Sequence, residues 1–159
     1  MSVTLNTNLG SLKIEVFCDL CPISAKNFLA LCANGYYDGV VFHRSVPGFM
    51  IQGGDPSGTG KKGESIFGHP FGDEITDELK HDRKGVVSWA NSGPNTNGSQ
   101  FYITYDKASH LNNISTIFGR VIHGFDTLKK MEKTKTDDSY RPLDDIHIEN
   151  VVIHANPLA

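Results

Sequence analysis

Residues 42–55 read FHRSVPGFMIQGGD. Strand signals run into this stretch from both sides, near 40–44 and 50–53. Short apolar runs flank Arg44 and Gln52, so the segment should be half buried. Arginine is almost never fully buried without a partner. Either Arg44 pairs with a carboxylate, or it lays its stem over apolar surface, or it is held for a ligand.

Outward from this stretch the strand pattern continues. Val3-Thr4-Leu5 and residues 12–17 flank Asn8-Leu9-Gly10 and predict a hairpin. Leu12, Ile14 and Val16 alternate with Lys13 and Glu15, which gives one dry and one wet face. Further strands are expected near 86–89, 101–104, 116–122 and 146–153, separated by glycine-rich turns. Two helices interrupt them. The first spans Pro22 to Ala33, with proline in its first turn and Asn34-Gly35 just past its end. Its apolar residues Ala25, Phe28, Leu29 and Cys32 sit at helical spacing. The second spans about Phe125 to Lys133, with Leu128 and Met131 on one side and Lys129, Lys130 and Lys133 on the other. About eight short strands and two helices predict a mostly β fold: a closed eight-stranded antiparallel β-barrel capped by two α-helices.

The length of 159 residues suits one domain covering 1–159. At 38% hydrophobic and 21% charged residues the chain is neither disordered nor supercharged. A net charge of −3 without a basic stripe argues against direct nucleic-acid binding. No apolar run approaches the roughly 18–20 residues that span a bilayer, so no membrane role is expected. The start MSVTLNTNLGSLKIEVF lacks a basic segment followed by an apolar block, and three cysteines fit a reducing compartment. An intracellular location is expected, and on that expectation the sequons at Asn97 and Asn113 carry no meaning.

Conventional catalytic sets are missing. The sequence has no HExxH, GxSxG or Walker pattern, and its seven histidines form no tight ligand pair. Gly58-Thr59-Gly60 reads as a surface loop. Cys18-Asp19-Leu20-Cys21 has a redox or half-zinc spacing, but no second pair follows, so two ordinary thiols at a strand-to-helix junction are expected. Neither a metal nor another cofactor is expected.

A second stretch, residues 89–104, reads WANSGPNTNGSQFYIT. A loop dense in Asn, Gly and Ser is bracketed by Trp89 and Tyr102, and Gln100 stands in the strand that leaves it. Buried amides must be hydrogen-bonded. Amides beside aromatics and an unpaired guanidinium would form a peptide groove.

These two stretches resemble the signature segments of the cyclophilins, peptidyl-prolyl cis–trans isomerases. The likeness covers nearly the whole chain, including Asn27-Phe28, Gly58-Thr59-Gly60, Ser65-Ile66-Phe67-Gly68 and Phe118-Gly119-Arg120-Val121. The compact loop after Gly54-Asp55 and the ending Ile153-His154-Ala155-Asn156-Pro157 resemble the isomerase-like three type, a subgroup associated with the spliceosome. That resemblance implies a nuclear or cytoplasmic monomer acting on proline-containing peptides and proteins, with spliceosomal proteins as partners.

The resemblance also implies roles. Arg44 matches the catalytic arginine. Phe49, Met50, Tyr102 and Leu111 match the walls of a proline pocket. Gln52 and Asn91 match groups that bond the substrate backbone. Ala90, Ser92 and Gln100 line the neighbouring groove, with Gly58 at its edge. Four positions depart from the family pattern. Tyr102 stands where Phe is usual, His110 where Trp binds cyclosporin, Ser115 where His often forms the pocket rim, and Trp89 where Met lies beside the groove. Weakened cyclosporin binding follows from His110. An unpaired Tyr102 hydroxyl in an apolar pocket would cost about 1–3 kcal/mol. The alternative to an isomerase is a proline-peptide binding module with weak or no catalysis.

Overall fold

The computed structural model describes residues 1–154; Ala155, Asn156 and Pro157 of the ending quoted above lie outside them. Its first hairpin pairs β1 (Ser2–Thr7) with β2 (Gly10–Val16) in strict register from Ser2↔Glu15 to Thr7↔Gly10. Val3, Leu5, Leu12, Ile14 and Val16 are all buried, as their alternation requires. The other strands are β3 (Arg44–Val46), β4 (Met50–Gly53), β5 (Val86–Trp89), β6 (Phe101–Thr104), β7 (Ile117–His123) and β8 (Ile148–His154). All eight join one antiparallel sheet in the order β3-β4-β6-β5-β7-β2-β1-β8.

The sheet is an open half-barrel, which corrects the expected closed barrel. Strands β3 and β8 are its two edges, and no ladder joins them. The seam is stitched only where residues 39–42 meet 146–148. There Val41 and His147 form an isolated bridge, and Phe42 N–H donates to the Ile146 carbonyl at 2.8 Å. The strand expected near 40–44 is thus reduced to that bridge, and β3 begins at Arg44. The free side of β3 is covered by a loop, with Ser45 N–H donating to the Tyr140 carbonyl at 2.8 Å. Covering an edge this way satisfies its polar groups.

Helix α1 (Pro22–Ala33) buries Ser24, Ala25, Asn27, Phe28, Leu31 and Cys32. Phe28 enters an aromatic cluster with Tyr37, Trp89, Phe101 and Phe118 at centroid distances of 4.9–6.1 Å. The helix has no local side-chain cap. Instead the distant Glu74 carboxylate accepts from Ile23 N–H at 3.1 Å and Ser24 N–H at 2.6 Å, satisfying donors that a helix start leaves orphaned. Helix α2 (Phe125–Lys133) buries Leu128 and Met131. It follows Gly124 at φ 103°, where a Cβ would strike the Ser11 carbonyl. Only glycine fits there.

Directly paired residues share a face of the sheet. Ile51, Ile103, Val87, Trp89 and Phe101 line the inner face and form the core. The outer-face residues Ser88, Tyr102 and Thr104 are also buried. They lie beneath residues 81–84 and 108–115, which cross over β5 and β6.

Candidate active site

One row crosses four strands on the outer face. Arg44 pairs with Gln52, Gln52 with Tyr102, and Tyr102 with Ser88. Two residues along, Val46, Met50 and Thr104 form the parallel row on the same face. Strand neighbours lie about 4.8 Å apart, so the sheet sets Arg44, Gln52, Met50 and Tyr102 around one small surface.

Arg44 is exposed and makes no hydrogen bond or ion pair to any described residue. The carboxylate-pairing reading of Arg44 therefore loses its support. Gln52, by contrast, is fixed. Its Nε2 donates to Gln100 Oε1 at 2.9 Å, and Gln100 Nε2 donates to the Lys62 carbonyl at 2.8 Å.

The fully buried Asp55 anchors that loop. Its carboxylate accepts from Ser57 N–H and Oγ, Gly60 N–H and Lys62 N–H at 2.8–3.1 Å. Burial pushes the Asp55 carboxyl up, but these hydrogen bonds outweigh it and bring it down to about 2.

Phe49 is half-buried and Met50 is buried. The Phe49 ring lies 5.2 Å from the His110 ring. His110 and Leu111 sit on a short 3-10 turn, Ser109–Leu111, with His110 exposed and Leu111 half-buried. The Tyr102 hydroxyl is not an unpaired group. It turns toward the buried His81 and meets Nε2 at 3.1 Å. Burial raises the Tyr102 pKa, while the Ser115 and Ser88 hydroxyls beside it oppose the rise.

Three expected placements change. Ser115 is buried beneath the Tyr102 wall rather than standing at the rim. Trp89 points into the core, stacked on Phe118 at 4.2 Å, and does not border the groove. Gly58 is buried against Val41, its carbonyl accepting from Arg141 at 2.6 Å. The groove edge is formed instead by Gly60, Lys61, Lys62 and Gly63. These border a cleft of about 450 Å³ that also touches Gln52, Ala90, Asn91, Ser92 and Gln100. The Asn91 side chain spans its loop, donating to the Ile114 carbonyl at 3.1 Å and accepting from Gly93 N–H at 3.2 Å.

The cysteines offer no reactive pair. All three thiols are free, and Cys21 donates to the Ile117 carbonyl at 3.0 Å. Burial, with the Glu74 charge, pushes the Cys21 thiol up to about 12, so it holds almost no thiolate.

An exposed, unpaired guanidinium facing a fixed amide that lines an open cleft can hold a peptide backbone without a nucleophile. Comparison with known proteins agrees. Residues 2–153 match the family model described as cyclophilin type peptidyl-prolyl cis-trans isomerase/CLD. The chain belongs to the cyclophilin family. It is a cyclophilin-type peptidyl-prolyl cis–trans isomerase. This cyclophilin is 66% identical over 159 residues to peptidyl-prolyl cis-trans isomerase CYP18-1 of Arabidopsis thaliana, covering 100% of the chain and 99% of that protein. It is 57% identical over 160 residues to the Homo sapiens protein named peptidyl-prolyl cis-trans isomerase-like 3, with the same coverages of 100% and 99%. A Cryptosporidium parvum cyclophilin-type isomerase, solved in the presence of the dipeptide Ala-Pro, superposes with TM-score 0.96 at 53% identity. That match covers 98% of this cyclophilin and 100% of the other chain. The half-barrel described above is therefore the cyclophilin fold.

Proposed function

We propose that Arg44 is the catalytic group of this isomerase, with Gln52 and Asn91 holding the substrate backbone. Phe49, Met50, Tyr102 and Leu111 hold the proline ring. The observation that carries this reading is the unpaired Arg44 standing in register with the anchored Gln52.

The chemistry follows from the peptide bond. Resonance makes rotation about C–N slow, with a barrier of ~18–20 kcal/mol. In the twisted state resonance is lost and the proline nitrogen regains its lone pair. A guanidinium donating to that nitrogen favours the twisted form over the planar one, which is differential transition-state binding. Arginine suits the task because it stays charged and offers a rigid fork of donors. Gln52 and Asn91 fix the flanking backbone against which the carbonyl swings. No bond is made or broken, so the step asks for no nucleophile and no metal.

The alternative, a proline-recognition module with weak or no catalysis, drew its support from Tyr102, His110 and Ser115. Two of these now weigh less. The Tyr102 hydroxyl is satisfied by His81, and Ser115 is largely buried beside it. His110 alone stands on the pocket turn, and it is the reason to expect weakened cyclosporin binding.

The physiological setting is an extension of this reading. The single unit 1–159 acts as a monomer in nucleus or cytoplasm on proline-containing segments of spliceosomal proteins, without direct nucleic-acid contact. Its support is the 57% identity to the human isomerase-like 3 protein and the net charge of −3.

The deciding experiment is cis–trans exchange of an Ala-Pro-Phe peptide by NMR, with wild type and Arg44→Ala side by side. Acceleration by wild type and at least tenfold less by the mutant supports the mechanism. Binding by both without acceleration establishes the recognition module.

A further inference from the structure

His81 is fully buried and lies off the groove, yet its ring and backbone touch both sides of the proline pocket. On one side, Nε2 lies 3.1 Å from the Tyr102 hydroxyl and 2.8 Å from Ser88 Oγ. On the other side, Nδ1 lies 3.0 Å from Asn112 Oδ1, which also accepts from His81 N–H at 2.8 Å. The His81 carbonyl accepts from Ala108 N–H at 2.9 Å. Ala108 and Asn112 bracket the turn that carries His110 and Leu111.

We infer that His81 is a positioning residue of the proline pocket: its ring clamps the Tyr102 wall to the turn bearing His110 and Leu111 and so sets the width of the pocket. The clamp rests on the reading of this surface as the proline site.

The hydrogen-bond pattern fixes its working state. Asn112 Oδ1 can only accept, so Nδ1 carries the ring proton. In a neutral ring Nε2 is then an acceptor, and the Tyr102 and Ser88 hydroxyls donate to it. An imidazolium would turn Nε2 into a donor, and the hydroxyls facing it would have to accept and turn their own protons elsewhere. Burial holds the His81 pKa below its ordinary value; the Asn112 bond opposes this, the His110 charge adds to it and Asp82 opposes it. Of the neighbouring titratable groups, Asp82 adjoins His81 in sequence, His110 faces it from the turn, and Tyr102 faces it from β6. The neutral ring is therefore the state at neutral pH.

The test uses the wild-type chain first. Long-range ¹H–¹⁵N spectra at pH 7 should show His81 neutral and protonated at Nδ1; an Nε2–H tautomer or a charged ring overturns the proposal. His81→Phe and Asn112→Ala should each weaken peptide binding at least fivefold, with less loss of the exchange rate at saturation. The double variant should be within twofold of the weaker single, because both break one clamp. Additive losses, or unchanged affinity in a folded His81→Phe, overturn it. If these variants do not fold, the wild-type tautomer decides. A wild type that binds the peptide without accelerating exchange would sink the isomerase mechanism while leaving the clamp standing.

Discussion

Gln52 reaches the groove with its amide already held: Nε2 donates to Gln100 Oε1 at 2.9 Å, and Gln100 is in turn tied to the Lys62 carbonyl. Across β3–β4 the same Gln52 faces Arg44, which has no such tether. The pair divides the work between a fixed grip and a donor left available. Gln100→Ala should therefore loosen the grip without touching the core. The expected outcome is a three- to tenfold lower kcat/KM for an Ala-Pro-Phe peptide, with stability changed by less than about 1 kcal/mol. A protease-coupled or NMR exchange assay beside a urea melt reads both.

Tyr102→Phe removes a buried hydroxyl whose partners stay behind. The loss should be about 1–3 kcal/mol of stability, read as a lower urea midpoint at constant m-value, with peptide affinity lowered as for the other clamp variants and the exchange rate at saturation less affected. Ser115→His places a larger side chain under the same wall. Overpacking there should cost about 1–3 kcal/mol and reduce exchange less than Arg44→Ala does. An activity loss larger than that of Arg44→Ala would relocate the chemistry.

His110 is exposed on the pocket turn, 5.2 Å from the Phe49 ring. His110→Trp should raise cyclosporin affinity at least tenfold by offering a broad apolar face with an N–H donor. Tryptophan fluorescence or calorimetric titration measures it directly. No gain would mean that residues other than His110 weaken the drug.

Asp55 makes stability depend on acid. Its folded pKa, about 2, lies below the ordinary value of 3.8. The unfolded state thus binds the proton more readily, so the contribution is complete above about pH 4 and is lost as pH falls toward 2. Its size should be on the order of 1–2 kcal/mol. Asp55→Asn should remove that part of the pH dependence and loosen residues 57–62, seen as faster amide exchange at Gly60 and Lys62.

The short-range features of this protein were written in its sequence. The alternation of Leu12, Ile14 and Val16 gave one buried face, and Pro22 and Gly124 stand at the starts of helices whose bounds match the expected ones. The stretches 42–55 and 89–104 carried the family likeness, and with it the set Arg44, Gln52, Asn91 and Tyr102. Each of these signals is local, because period, capping and motif spacing act within a few residues.

What the tertiary structure decided depends on pairing across long separations. Periodicity cannot say which strands become edges, so it does not distinguish a closed barrel from this half-barrel, in which β3 and β8 do not pair with each other. Nor can it place Glu74 at the start of α1, Trp89 in the core, or Gly58 away from the groove. His81 sits among seven scattered histidines with nothing in its neighbourhood to mark it. Only the register that sets Tyr102 opposite Ser88, and the return of the chain at Asn112, bring its ring between the two walls of the pocket. A buried imidazole must find donors and acceptors wherever the fold supplies them, and that supply is fixed by tertiary packing.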